Sequence, residues 1–252
     1  MQNAEIWKRF LSVLSLSLKG VVIDMRMKRI IKIALTAIIR TIIGMSVLGT
    51  MLFLVAGTIL YWQAWLMLHA LMIPMGISGI IFEMQDSGIL ERRNYRWDSM
   101  TLKRKASIAL KYLATLSLML VPALDFRFGW SAVPGAWSIF GALLLVLANI
   151  IWIVSKSANP YAGSGIEIYN GHKLCKTGPY ARIRHPNYLG DLLLIVGLPL
   201  ALGSWWGFMG AALLVPLLVE RTLDEEAFLK EHLPGYTEYM RDLRWRIIPL
   251  LW

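Results

Sequence analysis

The sequence has very little cysteine, the residue whose disulfides stabilise small secreted domains, and it has fewer acidic than basic residues. Cys175 is the only cysteine among 252 residues, so no disulfide can form within the chain. Lys and Arg together number 26 against 16 Asp and Glu, which gives a formal net charge of +10. There is no internal repeat and no low-complexity tract. We expect no cleavable signal peptide, because the apolar stretch 10–18 is short, contains serines and is followed by basic residues.

Apolar residues dominate the composition instead. They make up 57% of the chain, and the mean hydropathy is +0.55, well above that of an ordinary globular domain. Charged residues are 17% of the chain and lie between apolar blocks. This pattern predicts an all-α, polytopic membrane helical bundle with about six membrane segments. The predicted segments are residues 41–60, 63–82, 106–124, 135–154, 188–203 and 205–219.

The last two segments are shorter than the roughly 20 residues needed to cross the hydrocarbon of a bilayer. A Gly203-Ser204 turn joins them, so we expect a short, closely packed hairpin, and whether it reaches the far face of the bilayer is left open. Polar clusters flank the hairpin at 178–190 and 220–226, and we expect the two clusters to close one pocket at the membrane surface. Two arginines of the first cluster are equally compatible with contacts to lipid phosphates, namely Arg182 and Arg184.

The positions of the basic residues predict the orientation. All Lys and Arg residues except Arg127 lie in 1–40, 83–111, 155–187 and 220–252. By the positive-inside rule, both termini, the long loops and the pocket are then cytoplasmic. Because the basic residues bracket apolar segments, we expect the bilayer, and not nucleic acid, to be the partner. The oligomeric state is left open.

Three regions follow from this organisation. Residues 1–40 are basic and amphipathic, which favours an interfacial helix, with a partner-docking or solvated helix as the alternative. Residues 41–155 hold transmembrane helices, and residues 156–252 hold the hairpin, the candidate catalytic residues and a cytoplasmic tail. His69, inside the second segment, is expected to bind a neighbouring helix and not to act in catalysis. Aromatic residues that mark a membrane interface follow the first segment, namely Tyr61, Trp62 and Trp65.

The first polar cluster has the features of a helix start. His185 precedes a proline and is therefore biased away from helical geometry, and Pro186 suits the first helical position. Backbone N–H groups at such an end face outward and favour an anion. Across the hairpin, Arg221 and Glu225 are four residues apart and share a helix face. That spacing fits either a functional pair or a simple ion pair on a solvated helix.

Two runs carry a specific resemblance. HKLCKTGPYARIRHPNYLG, followed by ERTLDEEAFLKEHLPGYTEYMRDLRWRIIP, resembles the isoprenylcysteine carboxyl methyltransferase family. Members of that family are membrane-embedded enzymes that use S-adenosylmethionine, and phosphatidylethanolamine methyltransferases are distant relatives. The resemblance is specific over residues 165–252, looser over 83–155 and absent over 1–40. The segment before His172 is shorter than in the family, and the family's upstream glutamine has no clear counterpart.

The resemblance implies roles for individual residues. The cofactor-binding residues would be His172, Lys173, Leu174, Cys175, Tyr180, His185, Pro186, Asn187, Tyr188 and Glu225. Arg221 matches an arginine that orients the acceptor. No metal is implied, and the cysteine is expected to be a small packed side chain and not a nucleophile.

These residue types suit the chemistry of S-adenosylmethionine. Glu225 can accept hydrogen bonds from its amine or ribose hydroxyls, and tyrosine faces attract the sulfonium cation. A carboxylate acceptor needs no base, so positioning is the main contribution, about 7–11 kcal/mol. For an amine or thiol acceptor, His185 or Glu226 would remove a proton. Glu225 and Arg221 are expected to have separable roles, in cofactor and acceptor binding respectively.

Two other readings stay open. The run Pro-Asn-Tyr-Leu-Gly-Asp and the terminal Trp-Arg-Ile-Ile-Pro are also similar to membrane sterol reductases that use NADPH. Asp191 supports that reading, since an ionisable residue inside a membrane segment is a functional candidate. Against it, an extended sterol-binding region is not evident. A non-catalytic membrane scaffold is the third reading. The acceptor itself is open among a prenylated cysteine, a lipid, a small lipophilic acid and an isoprenoid thiol.

Overall fold

The structure, a computed structural model, describes residues 2–85, 102–161 and 172–252, with side chains described from residue 27 onward and, in the second range, from 108. All regular structure in these ranges is helical, as the sequence predicts. The predicted loop 83–105 and the polar segment 155–187 lie partly outside the described residues. The helices are α1 Gln2–Ala56, α2 Trp62–Met84, α3 Leu102–Phe128, α4 Gly135–Ala158, α5 Pro186–Ala201, α6 Phe208–His232 and α7 Tyr236–Asp242.

Four helices are long and apolar enough to cross a membrane. They are Met27–Ala56, Trp62–Met84, Ile108–Phe128 and Gly135–Ala158. The apolar helix Pro186–Ala201 is shorter. These helices confirm a membrane helical bundle, while six membrane segments stay a prediction. Each of the six predicted segments corresponds to one helix of the structure.

The first helix differs from the prediction. α1 continues from Gln2 to Ala56 as one helix of 55 residues, so no break separates the basic region from the first membrane segment. Its candidate span starts at Met27, earlier than the predicted residue 41. At 1.5 Å per residue this span is about 45 Å long, which exceeds the roughly 30 Å hydrocarbon core. Local hydropathy predicted the apolar part of α1, but it did not indicate that the helix continues through the basic region before it.

Helices α4 and α5 approach each other very closely through glycine. A side-chain carbon at Gly141 would lie 2.3 Å from the backbone nitrogen of Ala201. On the facing helix, a carbon at Gly197 would lie 3.0 Å from the Gly141 carbonyl oxygen. Small residues at such positions allow close backbone packing between membrane helices. This contact fixes the hairpin against the rest of the bundle.

The α5–α6 turn, around Gly203 with φ +69°, belongs to a buried polar network at what we call the turn end of the bundle. There the hydroxyl of Ser204 donates to Asp125 at 2.5 Å, and Ser131 donates to the same carboxylate through both its N–H and its hydroxyl. Tyr61 is fully buried and donates to the carbonyl of Leu202. The sequence predicted Tyr61 at a membrane interface, and its side chain is buried within the bundle at the turn end.

The turn of the hairpin lies beside Gln63 of α2, Asp125 of α3 and Ser138 of α4, each near one end of its helix, so the hairpin reaches that end of the bundle. Tryptophans surround this end, each about half exposed, namely Trp62, Trp65, Trp130, Trp137, Trp205 and Trp206. Such a ring is typical of a membrane–water interface. His69 bonds the Trp65 carbonyl within its own helix, where a neighbouring helix had been expected.

Candidate functional site

The candidate site lies at the opposite end of the bundle, where α4 ends and α5 begins; we call it the site end. Gly178 adopts φ +60°, and a single 3₁₀ turn, Gly178–Ala181, follows. α5 then starts at Pro186 with His185 as the residue preceding the helix, as the sequence predicts. The proline supplies the helical φ angle and needs no hydrogen-bond acceptor. The polar cluster is therefore presented directly at the start of the hairpin.

Glu226 is the centre of a buried ion-pair cluster. Its carboxylate accepts a hydrogen bond from Arg184 at 2.7 Å and one from Arg246 at 2.9 Å. His185 Nε2 lies 3.2 Å from the same carboxylate. Glu226 and Arg184 are only 4% and 6% exposed. A buried charge of this kind is tolerated only where it is paired and hydrogen-bonded.

These contacts set the protonation of the cluster. Burial alone would raise the pKa of Glu226, but the hydrogen bonds from His185, Arg184 and Arg246 outweigh it and lower the pKa to about 2. An ionised carboxylate only accepts hydrogen bonds, so His185 Nε2 carries the hydrogen of their contact. Glu226 is thus a poor proton acceptor, and its contacts give it a structural role. In a neutral His185, Nδ1 would be the ring nitrogen able to take a proton.

The segment after α7 completes the cluster. Its backbone accepts hydrogen bonds from the N–H groups of Arg184 and His185, through the carbonyls of Trp245 and Arg246. The guanidinium of Arg184 also donates to the carbonyls of Leu243 and Arg244. Arg184 is therefore buried and anchored within the protein. It does not have the exposure that contact with lipid phosphates would require.

Tyr188 connects the two residues of the expected α6 pair. Arg221 Nε donates to the Tyr188 hydroxyl at 2.9 Å, and that hydroxyl donates to the carboxylate of Glu225. The Arg221 guanidinium also lies 5.9 Å from the centre of the Tyr188 ring. The arrangement is a relay across the hairpin and not a simple ion pair on one helix. It confirms that the two polar clusters meet.

A second group of tyrosines lies behind this relay. Tyr180 is buried, its hydroxyl accepts a 3.4 Å contact from Asn187 Nδ2, and its carbonyl accepts a hydrogen bond from Tyr239. Burial raises the pKa of Tyr180, so it is a neutral phenol. Within the described residues, the buried Asn187 Oδ1 and the buried hydroxyl of Tyr236 have no hydrogen-bond partner. Such buried groups are costly unless something satisfies them.

The stretch 172–175 borders this group. His172 stacks on Tyr161 with ring centres 4.5 Å apart. Leu174 packs against an apolar cluster with Tyr236 and Tyr239. Cys175 is half-buried and contacts the Ala158 carbonyl through Sγ at 3.4 Å. The side chain of Lys173 is exposed.

Asp191 lies one helical turn beyond Tyr188 on α5. Its electrostatic neighbours are Lys111, Arg221 and Lys156, and it is hydrogen-bonded with Trp152. Trp152 also donates to the Asn187 carbonyl at 3.1 Å. Asp191 is thus placed next to the relay, at the level where α3, α4 and α6 meet α5.

Several residues of the site were missed by sequence reasoning. Arg184 and Arg246 were not assigned to it, although one precedes His185 and the other lies in the Trp-Arg-Ile-Ile-Pro run. Tyr236, Tyr239 and Trp152 gave no signal beyond being aromatic. Among the described residues, no group of three His, Cys, Asp or Glu side chains suits a metal ion.

A cavity of about 580 Å³ lies elsewhere, between α1 and the start of α2. Its lining includes Gly49, Phe53, Thr58 and Trp65, all towards the turn end. It shares no residue with the polar clusters. The candidate site and this cavity are therefore separate features of the fold.

Comparison with known proteins agrees with this location. Residues 136–234 match the family model described as phospholipid methyltransferase. That range is less than half of the chain but includes α4, the hairpin and most of the site, and it confirms the resemblance to membrane methyltransferases. Over 85 residues the chain is 33% identical to Delta(14)-sterol reductase TM7SF2 of Mus musculus, covering 32% of this chain and 20% of that protein. The chain thus spans about a fifth of this relative's length.

Proposed function

We propose that this protein transfers a methyl group from S-adenosylmethionine to a lipophilic acceptor, specifically a carboxylate of the isoprenylcysteine type. The Arg221–Tyr188–Glu225 relay is the observation that carries the proposal. The Tyr188 hydroxyl joins Arg221, a cation suited to an anionic acceptor, to Glu225, a carboxylate suited to the hydroxyl or amine groups of the cofactor. The match to the phospholipid methyltransferase family supports the reaction class.

The residues at the site end fit this cofactor. Asn187 Oδ1 and the Tyr236 hydroxyl are buried without partners in the described part of the chain, and cofactor amine or hydroxyl groups would satisfy them. Tyr180 and Tyr188 offer aromatic faces for a sulfonium. Glu225 accepts hydrogen bonds. We assign cofactor binding to these residues together with the 172–175 stretch, His185 and Pro186.

When bound, S-adenosylmethionine supplies an electrophilic methyl group. The protein's own contribution is to orient the acceptor and to exclude water. Arg221 has a planar donor group that suits a forked contact with a carboxylate. Because a carboxylate is already ionised at neutral pH, the buried Glu226 cluster need not move a proton. Its role is to hold His185 and Arg184 at the start of α5.

An amine or thiol acceptor would need a proton acceptor. Glu226 is unsuited, since its pKa lies far below neutrality and three donors surround it. His185 Nδ1 is the remaining candidate, because Nε2 is committed to Glu226. The carboxylate proposal avoids this requirement.

We further propose that the site end faces the cytoplasm with both termini, and that the acceptor enters from the bilayer. The charge distribution supports this orientation. The ring of tryptophans at the turn end then marks the opposite interface.

Isothermal titration calorimetry on the detergent-solubilised full chain tests the proposal. S-adenosylhomocysteine should bind with micromolar-range affinity, about −8 kcal/mol, and NADPH should not bind. Asn187→Leu should weaken binding, while Gln63→Leu, which removes an amide beside Gly203 at the turn end of the bundle, serves as the control. NADPH binding without any response to S-adenosylhomocysteine would overturn the assignment.

The NADPH-dependent sterol reductase reading is the second candidate. Asp191 at the level of the relay and the partial similarity to the mouse sterol reductase favour it. The calorimetric comparison of the two nucleotides separates the candidates. A protein that binds neither would instead be a membrane scaffold.

A further inference from the structure

We infer that Tyr188 is a positioning residue that couples the acceptor side of the site to its cofactor side. The inference rests on the proposed function, because Arg221 and Glu225 take their roles from it. From spacing alone these two roles are expected to be separable. The contacts of the Tyr188 hydroxyl indicate that they are not.

The hydrogen bonds of the relay have a fixed direction. A guanidinium only donates, so the 2.9 Å contact from Arg221 Nε uses a lone pair of the Tyr188 oxygen. The single hydrogen of that hydroxyl is then given to the Glu225 carboxylate, which only accepts. Hydrogen bonds in such a chain polarise one another. Arg221 therefore strengthens and orients the donation that Glu225 receives.

The ring of Tyr188 is held in place as firmly as its hydroxyl. The side chain is buried, with 7% of its surface exposed. Its ring stacks on His185 with centres 5.3 Å apart and planes 13° apart. His185 is in turn fixed by the buried carboxylate of Glu226. Because the ring cannot easily move aside, a change at Arg221 is passed to Glu225 and not absorbed by a rotation of Tyr188.

The coupling has a consequence for catalysis. An acceptor carboxylate that engages the Arg221 guanidinium changes how strongly Arg221 donates to Tyr188. The Tyr188 hydroxyl then binds Glu225 differently, and so alters the carboxylate that is proposed to hold the cofactor. Coupling of this kind is reciprocal between the two sites. Acceptor and cofactor binding are thus cooperative through one hydroxyl.

A double-mutant cycle on S-adenosylhomocysteine affinity tests the inference without an acceptor. The four proteins are the parent, Arg221→Ala, Tyr188→Phe and the double variant, each titrated as the full chain in detergent. In the parent background, Arg221→Ala should weaken the affinity by at least about threefold. In the Tyr188→Phe background, the same change should alter it by less than about 1.5-fold, because the hydroxyl that transmits the effect is gone.

Arg182→Ala is the control for charge, since it removes an exposed arginine from the same segment. It should leave the affinity unchanged. Arg221→Gln repeats the cycle with a side chain of greater length if the alanine variant fails to fold. Unfolding temperature is measured for every variant, because a merely structural contact would lower it without making the affinity changes non-additive.

The outcomes separate the inference from the proposed function. Equal effects of Arg221→Ala in both backgrounds, including no effect in either, would overturn the coupling while leaving the methyltransferase proposal intact. Absence of S-adenosylhomocysteine binding by the parent protein would overturn the proposed function, and the coupling with it.

Discussion

The hydroxyl of Tyr61 donates a hydrogen bond to the carbonyl of Leu202 at 2.5 Å, joining residues that are 141 positions apart in the chain. Leu202 lies where α5 ends, so this contact attaches the hairpin turn to the α1–α2 connection. Asp125 holds the next part of the turn through Ser204. The helices that carry the candidate site are therefore anchored at their opposite end.

Ser204→Ala should destabilise the protein. The change removes a hydrogen bond to the buried Asp125 and also leaves the N–H of Gly207 without its acceptor. We expect a loss of about 1–3 kcal/mol, measured as resistance to unfolding in detergent. Ser78→Ala is the matched control, because Ser78 bonds only a carbonyl of its own exposed helix turn in the described structure. Equal stability of the two variants would contradict the role of the turn network.

Gly141→Ala should also destabilise, through overpacking between α4 and α5. The added carbon would lie 2.3 Å from the Ala201 nitrogen, which is backbone and cannot rotate away. The expected cost is about 1–3 kcal/mol. Gly79→Ala adds the same carbon on α2, where nothing lies within 4 Å, and the higher helix propensity of alanine should stabilise it by up to about 1 kcal/mol. Thermal unfolding of both variants tests whether their effects have opposite signs.

The Glu226 cluster predicts a pH dependence of stability. The pKa of Glu226 is lowered from 4.5 to about 2, so its carboxylate contributes fully above pH 4.5 and loses its contribution as the pH falls towards 2. The contribution is about 3 kcal/mol. Glu226→Gln should be less stable than the parent at neutral pH, with a flatter dependence between pH 5 and 3. A parallel decline of both proteins over that interval would argue against the ion-pair cluster.

Glu225→Ala should weaken S-adenosylhomocysteine binding by at least about tenfold, since it removes an acceptor for buried donors. Asp224→Ala is the matched control, because this neighbouring carboxylate is exposed. Calorimetry on both variants gives the comparison. If both bind like the parent, the pocket does not lie between the two polar clusters.

The orientation can be tested with single cysteines in a Cys175→Ala background. Ala132 is exposed in the α3–α4 connection at the turn end, and Glu231 is highly exposed at the site end. A membrane-impermeant thiol reagent should label Glu231→Cys only from the cytoplasmic side and Ala132→Cys only from the other side. Ala132 is preferred to Ser131, whose hydroxyl binds Asp125. Labelling of Ala132→Cys from the cytoplasm would invert the proposed topology.

Features governed by short-range chemistry were predictable from the sequence. Within the described residues, the apolar runs identified the apolar part of each long helix, and glycine and proline predicted the Gly203 turn and the start of α5 at Pro186. His185 occupies the position before that helix, as its place before proline implies. The meeting of the two polar clusters was also predicted, from their symmetric positions around a hairpin.

Features set by distant contacts were not predictable. Tyr61 resembles an interfacial aromatic, and only its bond to Leu202 reveals that it is buried. From the sequence, Arg184 could be a lipid-facing cation, and only its hydrogen bonds to the backbone of residues 243–246 show that it is buried. Tyr188 lies in a recognisable motif, yet its link between Arg221 and Glu225 depends on the packing of two helices.

The backbone contacts of residues 243–246 with Arg184 and His185 impose an order on biosynthesis. All helices of the bundle and the whole hairpin precede this segment in the chain, so they can enter the membrane while it is still being translated. The Glu226 cluster, however, lacks Arg246 until that segment has been made. The cluster therefore cannot be complete until translation has passed residue 246, and a chain that stops earlier would hold Glu226 without one of its hydrogen-bond donors.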